Sequence, residues 1–142
     1  NLGLRYKDFD VSMQINGAFG HKIYNATALT YMNVGSLPFY NVMQDAPARN
    51  IYDQTATDYW LEKGDYIHVA YLNFGWMVPL KQTRYIRSLR LSFSINNLLT
   101  LTGYSGLTPM INSSIVGPTL GTDDKSSYPL YRSYALGVSI QF

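Results

Sequence analysis

Residues 128–142, at the end of the chain, read YPLYRSYALGVSIQF. Within this stretch apolar or aromatic side chains alternate with small or polar ones, and the apolar series is Tyr134, Leu136, Val138, Ile140 and Phe142. Strict alternation with a period of two predicts a β-strand that has one apolar and one polar face. A strand that stops on an aromatic residue is typical of the closing strand of an outer-membrane barrel, so we expect further strands of this kind upstream.

The composition favours the same fold class. Charged residues make up 14% of the 142 residues, against the roughly 25% of soluble domains, and aromatic residues make up 15%. No apolar run approaches the roughly 18 residues that a membrane helix needs. Few charges and many aromatic residues suit a transmembrane β-barrel, although a soluble all-β domain also fits these numbers. The net charge of +2 gives no reason to expect a nucleic-acid partner, and the lack of cysteine excludes thiolate metal sites.

The alternating pattern recurs along the chain. We predict strands at about residues 2–6, 9–20, 66–79, 88–99 and 128–142, with long loops at about residues 21–65 and 100–127 and a short helix near residues 57–63. Barrels of the outer membrane have short periplasmic turns and longer extracellular loops, so both long loops are expected to be extracellular. The predicted fold is all-β, with about five antiparallel transmembrane strands that form the C-terminal part of a larger barrel, because the smallest single-chain barrels have about eight.

The strand parity also assigns side chains to surroundings. The aromatic residues expected at the two membrane interfaces are Tyr66, Trp76, Tyr134 and Phe142. Two polar residues, His68 and Arg132, have lipid-face parity and fall near the extracellular ends of their strands, where charge costs least. The residues with lumen parity include Asp10, Gln14 and Arg90.

Three internal segments and the chain end resemble one known family. The segments are GHKIYN at residues 20–25, DYWLEKGDYI at residues 58–67 and NNLLTLTGYSG at residues 96–106. Together with the final strand, in this order and spacing, they resemble the late strands of SusC/RagA-type TonB-dependent transporters of Bacteroidota. The resemblance covers nearly the whole chain.

The resemblance implies a 22-stranded barrel in the Gram-negative outer membrane, plugged by an N-terminal domain. It implies import of oligosaccharides or peptides together with a SusD-like surface lipoprotein, energised through TonB. The plug, the TonB box and the remaining strands are not in this sequence, so we expect another part of the same transporter to supply them. No cofactor is expected.

Residues with possible ligand or metal roles lie mainly in the two long loops. The candidates for contact with substrate or with the lid lipoprotein are Tyr40, Tyr59, Trp60 and Tyr104, whose alternative role is to pack the loops together. Asp123 and Asp124 are a candidate Ca²⁺ site, with a solvated turn as the alternative. No catalytic constellation is present, and the two histidines, His21 and His68, are expected to be interfacial polar residues, so we predict no enzyme activity. The rival hypothesis for the whole chain is a soluble β-sandwich that binds carbohydrate.

Overall fold

The computed structural model describes residues 1–80, 85–111, 121–125 and 127–142. The chain divides into two compact units. The sheet unit comprises Asn1–Gly17, Ile67–Leu101 and Tyr131–Phe142, and the loop unit comprises Ala18–Tyr66 and Thr102–Leu130. Among the described residues, no helix is long and apolar enough to cross a membrane.

The described elements are strands with a few short helices. In chain order the strands are β1 (Leu2–Tyr6), β2 (Phe9–Ala18), β3 (Lys22–Asn25), β4 (Leu61–Lys63), β5 (Tyr66–Val78), β6 (Ser88–Thr102), β7 (Thr122–Asp123) and β8 (Ser133–Gln141). The helices are α1 (Ala26–Tyr31) and α2 (Ala46–Arg49), with 3₁₀ turns at Val34–Ser36 and Asp58–Trp60.

The sheet unit is built on five of these strands, in the order β1-β2-β5-β6-β8. Strands β1 and β2 form an antiparallel hairpin whose two-residue turn contains Lys7 with a positive φ of 52°. Strands β6 and β8 are antiparallel over nine residue pairs, from Ser88 opposite Gln141 to Asn96 opposite Ser133. The predicted antiparallel sheet of five strands is therefore confirmed.

One face of this sheet is apolar and uncovered. The register places Leu91 opposite Val138 and Phe93 opposite Leu136 on that face. Leu136 is 84% exposed, and its neighbours along the same face are also exposed. A soluble β-sandwich would bury these side chains against a second sheet. The β-sandwich hypothesis is therefore wrong, and the face has the character of a lipid-facing barrel wall.

The opposite face carries an ion pair that crosses a strand. Arg90 on β6 donates from Nη2 to Oδ2 of Asp10 on β2 at 2.7 Å, although β5 lies between these strands. The two strands are about 10 Å apart, so the side chains must pass over β5. They pass at Gly75, where a Cβ atom would lie 2.5 Å from the Arg90 guanidinium and 2.6 Å from Asp10. Glycine at this position leaves the space that the ion pair occupies.

Several predicted boundaries differ from the structure. Strand β2 stops at Ala18 rather than at residue 20, where Gly20 has a φ of +79°. Strand β6 continues to Thr102, past the predicted end at residue 99, and it runs through Asn97, whose φ is 52°. Strand β8 begins at Ser133 and not at residue 128.

Two further corrections concern helix and histidine. The helix predicted near residues 57–63 is a single 3₁₀ turn, Asp58–Trp60, followed directly by strand β4. His68, expected at the lipid interface, is only 4% exposed, and its Nδ1 lies 2.9 Å from the Thr100 hydroxyl. A lipid-facing side chain would be open in this chain, as Leu136 is, so His68 is a buried polar residue.

The loop unit contains far more regular structure than the two predicted loops. Strand β3 is its centre, antiparallel to β4 and parallel to β7. Helix α1 follows β3 at once because the Asn25 side chain caps it, accepting from the Ala28 amide at 2.8 Å. The buried apolar side chains of this unit are Ile23, Ala28, Ala46, Trp60 and Tyr104.

A candidate ligand-contact site in the loop unit

Two polar side chains, the buried Asn25 and the half-buried Glu62, join segments that are distant in sequence. The Asn25 Nδ2 donates to Oε1 of Glu62 at 2.9 Å and to the Ser105 hydroxyl at 3.2 Å. Glu62 also accepts from the Ser105 amide at 2.9 Å and from the Ser105 hydroxyl at 2.7 Å. Strands β3 and β4 and the turn that follows β6 are thus tied together by one carboxylate.

The hydrogen bonds to Glu62 determine its charge state. Burial raises the pKa of this carboxyl, but the Ser105 and Asn25 hydrogen bonds and the positive charge of Arg49 outweigh burial, so its pKa lies below the usual value. Glu62 is therefore ionised at neutral pH and holds its donors as charge-assisted hydrogen bonds.

A second carboxylate, the buried Asp123, is held by three hydroxyl groups. Its Oδ2 accepts from the Tyr104 hydroxyl at 2.7 Å, and its Oδ1 accepts from Thr27 at 3.0 Å and Ser127 at 3.2 Å. Burial and the adjacent Asp123 carboxylate raise the pKa of Tyr104, which keeps its hydroxyl protonated as the donor. We call the residues of these two networks the loop clasp: Asn25, Thr27, Glu62, Tyr104, Ser105 and Asp123.

The loop clasp corrects the interpretation of Asp123. This residue is 2% exposed, so it does not lie in a solvated turn, whereas Asp124 is exposed. Both Asp123 carboxylate oxygens already accept hydrogen bonds from hydroxyls. Within the part of the chain that the structure describes, no three His, Cys, Asp or Glu side chains are placed to hold a metal ion.

Two glycines near the loop clasp leave space for the rings of Tyr104 and His21. A Cβ atom at Gly106 would collide with the Tyr104 ring, and one at Gly64 would collide with the His21 ring. Tyr104 thus folds back over Gly106 to reach Asp123. This packing accounts for Gly64 and Gly106, whereas a Cβ at Gly103 would meet open space.

Beside the loop clasp lie two adjoining clefts that share Arg49, Tyr59 and Trp60, which we call the Arg49 clefts. Their volumes are about 320 and 430 Å³. Arg49 donates from Nη1 to the Tyr59 hydroxyl at 3.1 Å, and the Tyr59 and Trp60 rings meet edge to face with centroids 4.9 Å apart. Tyr59 is 58% exposed, whereas Trp60 is 6% exposed and supports it from below. These volumes suit a small group such as one sugar ring or one side chain.

A third cleft of about 460 Å³ is lined by neutral residues. These are Gly35, Ser36, Phe39, Tyr40, Tyr52 and Gln54. The Gln54 amide donates to the Ser36 hydroxyl at 2.9 Å, and the aromatic rings of the lining are exposed. The Tyr40 ring also meets the Tyr31 ring edge to face, with centroids 6.1 Å apart.

The structure therefore separates the four predicted contact residues into two kinds. Tyr40 and Tyr59 are exposed at clefts, where a ligand can reach them, and they stay candidates. Trp60 and Tyr104 are buried: Trp60 packs against the exposed Tyr59 ring, and Tyr104 donates to Asp123. Arg49 was missed by the sequence because a single arginine in an aperiodic stretch carries no pattern.

The aromatic residues predicted for the membrane interfaces make their own ring contacts. Trp76 stacks on Phe9 with centroids 5.9 Å apart, and Tyr134 stacks on Phe93 with centroids 6.3 Å apart. Phe142 is exposed, and the Tyr66 ring meets the His21 ring edge to face. Their place at the membrane interfaces stays a prediction.

Comparison with known proteins gives matches along the full chain, although no protein-family model matches. The sequence is 29% identical over 159 aligned residues to TonB-dependent receptor P3 of Formosa agariphila, covering all of this chain. The fold matches solved structures of the RagAB peptide importer in its closed-closed state (TM-score 0.75, 18% identity) and its open-open state (TM-score 0.71, 17% identity), each over 99% of this chain. The chain spans 16% of the length of the receptor and 16% of the matched chain of each structure.

Fold and similarity together define the class of protein: the strands are those of an outer-membrane β-barrel, as predicted. The more particular prediction, a resemblance to SusC/RagA-type TonB-dependent transporters, is also confirmed, by sequence similarity to a TonB-dependent receptor and by the shared barrel fold. The matched proteins are named as a receptor and an importer and not as enzymes, in agreement with the expected lack of catalysis.

Proposed function

We propose that this chain forms wall and extracellular loops of a TonB-dependent importer of the outer membrane, which takes up peptides or oligosaccharides with a SusD-like surface lipoprotein. The observation that carries the proposal is the full-length likeness of this chain to a TonB-dependent receptor in sequence and to the RagAB peptide importer in fold. The uncovered apolar face of the sheet unit fits the wall, because lipid is the partner that such a face requires.

In this proposal the loop unit carries the ligand contacts, and no bond is made or broken there. The Arg49 clefts and the neutral aromatic cleft offer rings for stacking together with a guanidinium, an amide and hydroxyls for hydrogen bonds. Sugar rings and peptide side chains both use such surfaces. The loop clasp supports these clefts, and its Glu62 and Ser105 also line the first Arg49 cleft.

The proposal is tested on the full-length, affinity-tagged transporter expressed in a Bacteroidota strain that lacks it. A surface lipoprotein should co-purify, and cells should accumulate labelled oligopeptides or oligosaccharides in a manner abolished by a protonophore. Uptake that is insensitive to the protonophore, or a transporter that purifies alone and imports neither class, would refute the proposal.

Tyr59 offers a matched pair of variants in the same assay. Tyr59→Ala removes the exposed ring from the Arg49 clefts and should lower uptake severalfold, since a ring stacked on an aromatic side chain contributes ~1 kcal/mol. Tyr59→Phe keeps the ring and loses only the hydrogen bond from Arg49, so it should retain most of the uptake.

A further inference from the structure

The Tyr31 and Tyr40 rings form two sides of an open box. Tyr31 ends helix α1, and Tyr40 follows the 3₁₀ turn Val34–Ser36. Their rings are perpendicular, at 89°, with centroids 6.1 Å apart. Backbone hydrogen bonds fix both positions, from Met43 to the Tyr31 carbonyl at 2.8 Å and from Tyr40 to the Ser36 carbonyl at 3.0 Å.

The chain's own Lys125 fills this box. Its Nζ lies 5.6 Å from the Tyr31 centroid and 5.5 Å from the Tyr40 centroid, and a cation within about 6 Å of a ring centroid is attracted by the negative π face. One ammonium therefore interacts with two rings at once. This is the arrangement of an aromatic cage, which recognises alkylammonium groups.

The backbone at Lys125 adopts an unfavourable conformation where its side chain reaches the rings. Lys125 has a φ of 74°, in the left-handed region that a lysine seldom adopts. Two residues earlier, buried Asp123 anchors the segment through Tyr104 and Thr27. Lys125 itself is exposed, so its long side chain can leave the rings without disturbing the anchor.

We propose that the Tyr31–Tyr40 pair is a binding site for an alkylammonium group of the imported ligand, and that Lys125 occupies the site until that group displaces it. The proposal rests on the proposed import function and narrows its substrates to amine-bearing ligands, which include peptides with a lysine side chain or a free N-terminus. Tyr40 also lines the neutral aromatic cleft with Phe39 and Tyr52, so a peptide whose ammonium enters the box has a place for its neighbouring residue.

Self-occupation by Lys125 gives selectivity. A tethered ammonium competes at an effective concentration in the millimolar range, so a free amine with no further contacts is held off. A ligand that also fills the adjoining cleft overcomes this competition. A neutral ligand gains nothing from the rings' charge preference and leaves Lys125 in place.

A direct binding test uses the full-length transporter in detergent, with 3-fluorotyrosine incorporated at position 40 and observed by ¹⁹F NMR. The probe is tetramethylammonium chloride, and tert-butanol is the neutral control of similar shape. We expect Lys125→Met to bind tetramethylammonium several-fold more tightly than the unmodified protein, because the tethered ammonium no longer competes. Adding Tyr31→Leu should abolish the response, and tert-butanol should produce none.

Two results of that titration would overturn the proposal: equal tetramethylammonium affinity with and without the Lys125 side chain, or an equal response to tert-butanol. Tyr31→Leu alone provides a folding check, because the fluorine signal should remain a single sharp line in that variant. The titration requires no transport, so it decides the binding site even if the import proposal fails.

An uptake arm tests the link to the substrate. Two tripeptides that differ only by lysine against norleucine are offered to cells that carry the transporter. Preferential uptake of the lysine peptide, lost in Tyr31→Leu, supports the assignment, and equal uptake of the two by the unmodified transporter contradicts it. If neither peptide enters, the import proposal fails for peptides, while the ¹⁹F titration still reports on the site.

Discussion

Removing one hydroxyl from the loop clasp, by Tyr104→Phe, distinguishes a structural role of Tyr104 from ligand contact. Tyr104 is buried and donates to Oδ2 of Asp123 at 2.7 Å. The other Asp123 oxygen accepts from Thr27 and Ser127, so Oδ2 loses its protein donor in this variant, while the phenyl ring keeps the packing over Gly106.

The expected loss follows from the charge and burial of the acceptor. A hydrogen bond to an ionised group contributes about 1.5–3 kcal/mol, and a buried oxygen left without a donor pays its full desolvation. For the buried Asp123 we expect a loss of local stability within that range, of about 2 kcal/mol. An opening equilibrium that shifts by about 2 kcal/mol changes about 30-fold.

Hydrogen exchange of the full-length protein, followed by mass spectrometry, measures this shift. The Tyr24 amide reports on it, since it donates to the Gly121 carbonyl at 2.7 Å, next to strand β7. Its exchange should accelerate about 30-fold in Tyr104→Phe and stay unchanged in Tyr52→Phe, because Tyr52 is exposed. Unchanged exchange in Tyr104→Phe would refute the structural role. Weakened ligand uptake with unchanged exchange would assign Tyr104 to the ligand instead.

Three further predictions concern the sheet unit and the Glu62 carboxylate of the loop clasp. Leu136→Arg places a charge on the apolar face and should cost about 2–4 kcal/mol, blocking assembly into the outer membrane, whereas Ala135→Arg on the opposite face should assemble normally; surface protease protection of cells measures both. Gly75→Ala displaces the cross-strand ion pair, whereas a Cβ at Gly3 meets open space. The Gly3→Ala variant should therefore melt at a higher temperature in detergent than the Gly75→Ala variant, by the equivalent of up to about 1 kcal/mol. Equal melting temperatures of the two variants would contradict this expectation. The lowered pKa of Glu62 means that its stabilisation is present above its ordinary value of 4.5 and is lost as pH falls through the lowered value. Acid should therefore lower the protection factors of loop-unit amides, which are exchange rates corrected for the intrinsic effect of pH on exchange, and Glu62→Gln should remove that pH dependence.

The sheet could be predicted from sequence because the two-residue alternation continues over long stretches. Strands β5, β6 and β8 have 13, 15 and 9 residues, enough for several repeats of the two-residue period. The strand ends were harder to place. Strand β6 continues through Asn97, which has a positive φ, whereas strand β2 ends before Gly20, which also has a positive φ. Both residue types tolerate that conformation, and the neighbouring strand decides the outcome.

The loop unit could not be predicted because its elements are too short to show a period. Strand β3 has four residues, β7 has two and α1 has six. Their stability comes from contacts between distant positions, such as Asn25 with Ser105, 80 residues apart. Propensity describes only neighbours in sequence, so a fold held by such contacts leaves no local signal.

Residue type identified aromatic candidates but not their accessibility. Tyr59 and Trp60 are adjacent in sequence and differ almost tenfold in exposure, at 58% and 6%. The difference arises because the 3₁₀ turn Asp58–Trp60 directs one ring into the unit and the other outward. Lys125 was missed for a related reason, since its partners Tyr31 and Tyr40 lie in the other long loop.

The segments that carry the family resemblance converge on the loop clasp. Asn25 ends the first segment, Glu62 lies in the second and Ser105 lies in the third, and these three are joined by hydrogen bonds of 2.7–3.2 Å. Tyr104, also in the third segment, donates to Asp123. Arg49, Tyr40 and Lys125 lie outside these segments, whereas Tyr59 and Trp60 of the Arg49 clefts lie in the second one. The segments build the loop clasp and part of the Arg49 clefts, whereas the neutral aromatic cleft and the Tyr31–Tyr40 pair lie outside them. A transporter can therefore keep this scaffold while the residues of the neutral aromatic cleft change. For that reason the sequence predicted the barrel but not its substrate, and the Tyr31–Tyr40 pair is where we propose that a group of the substrate binds.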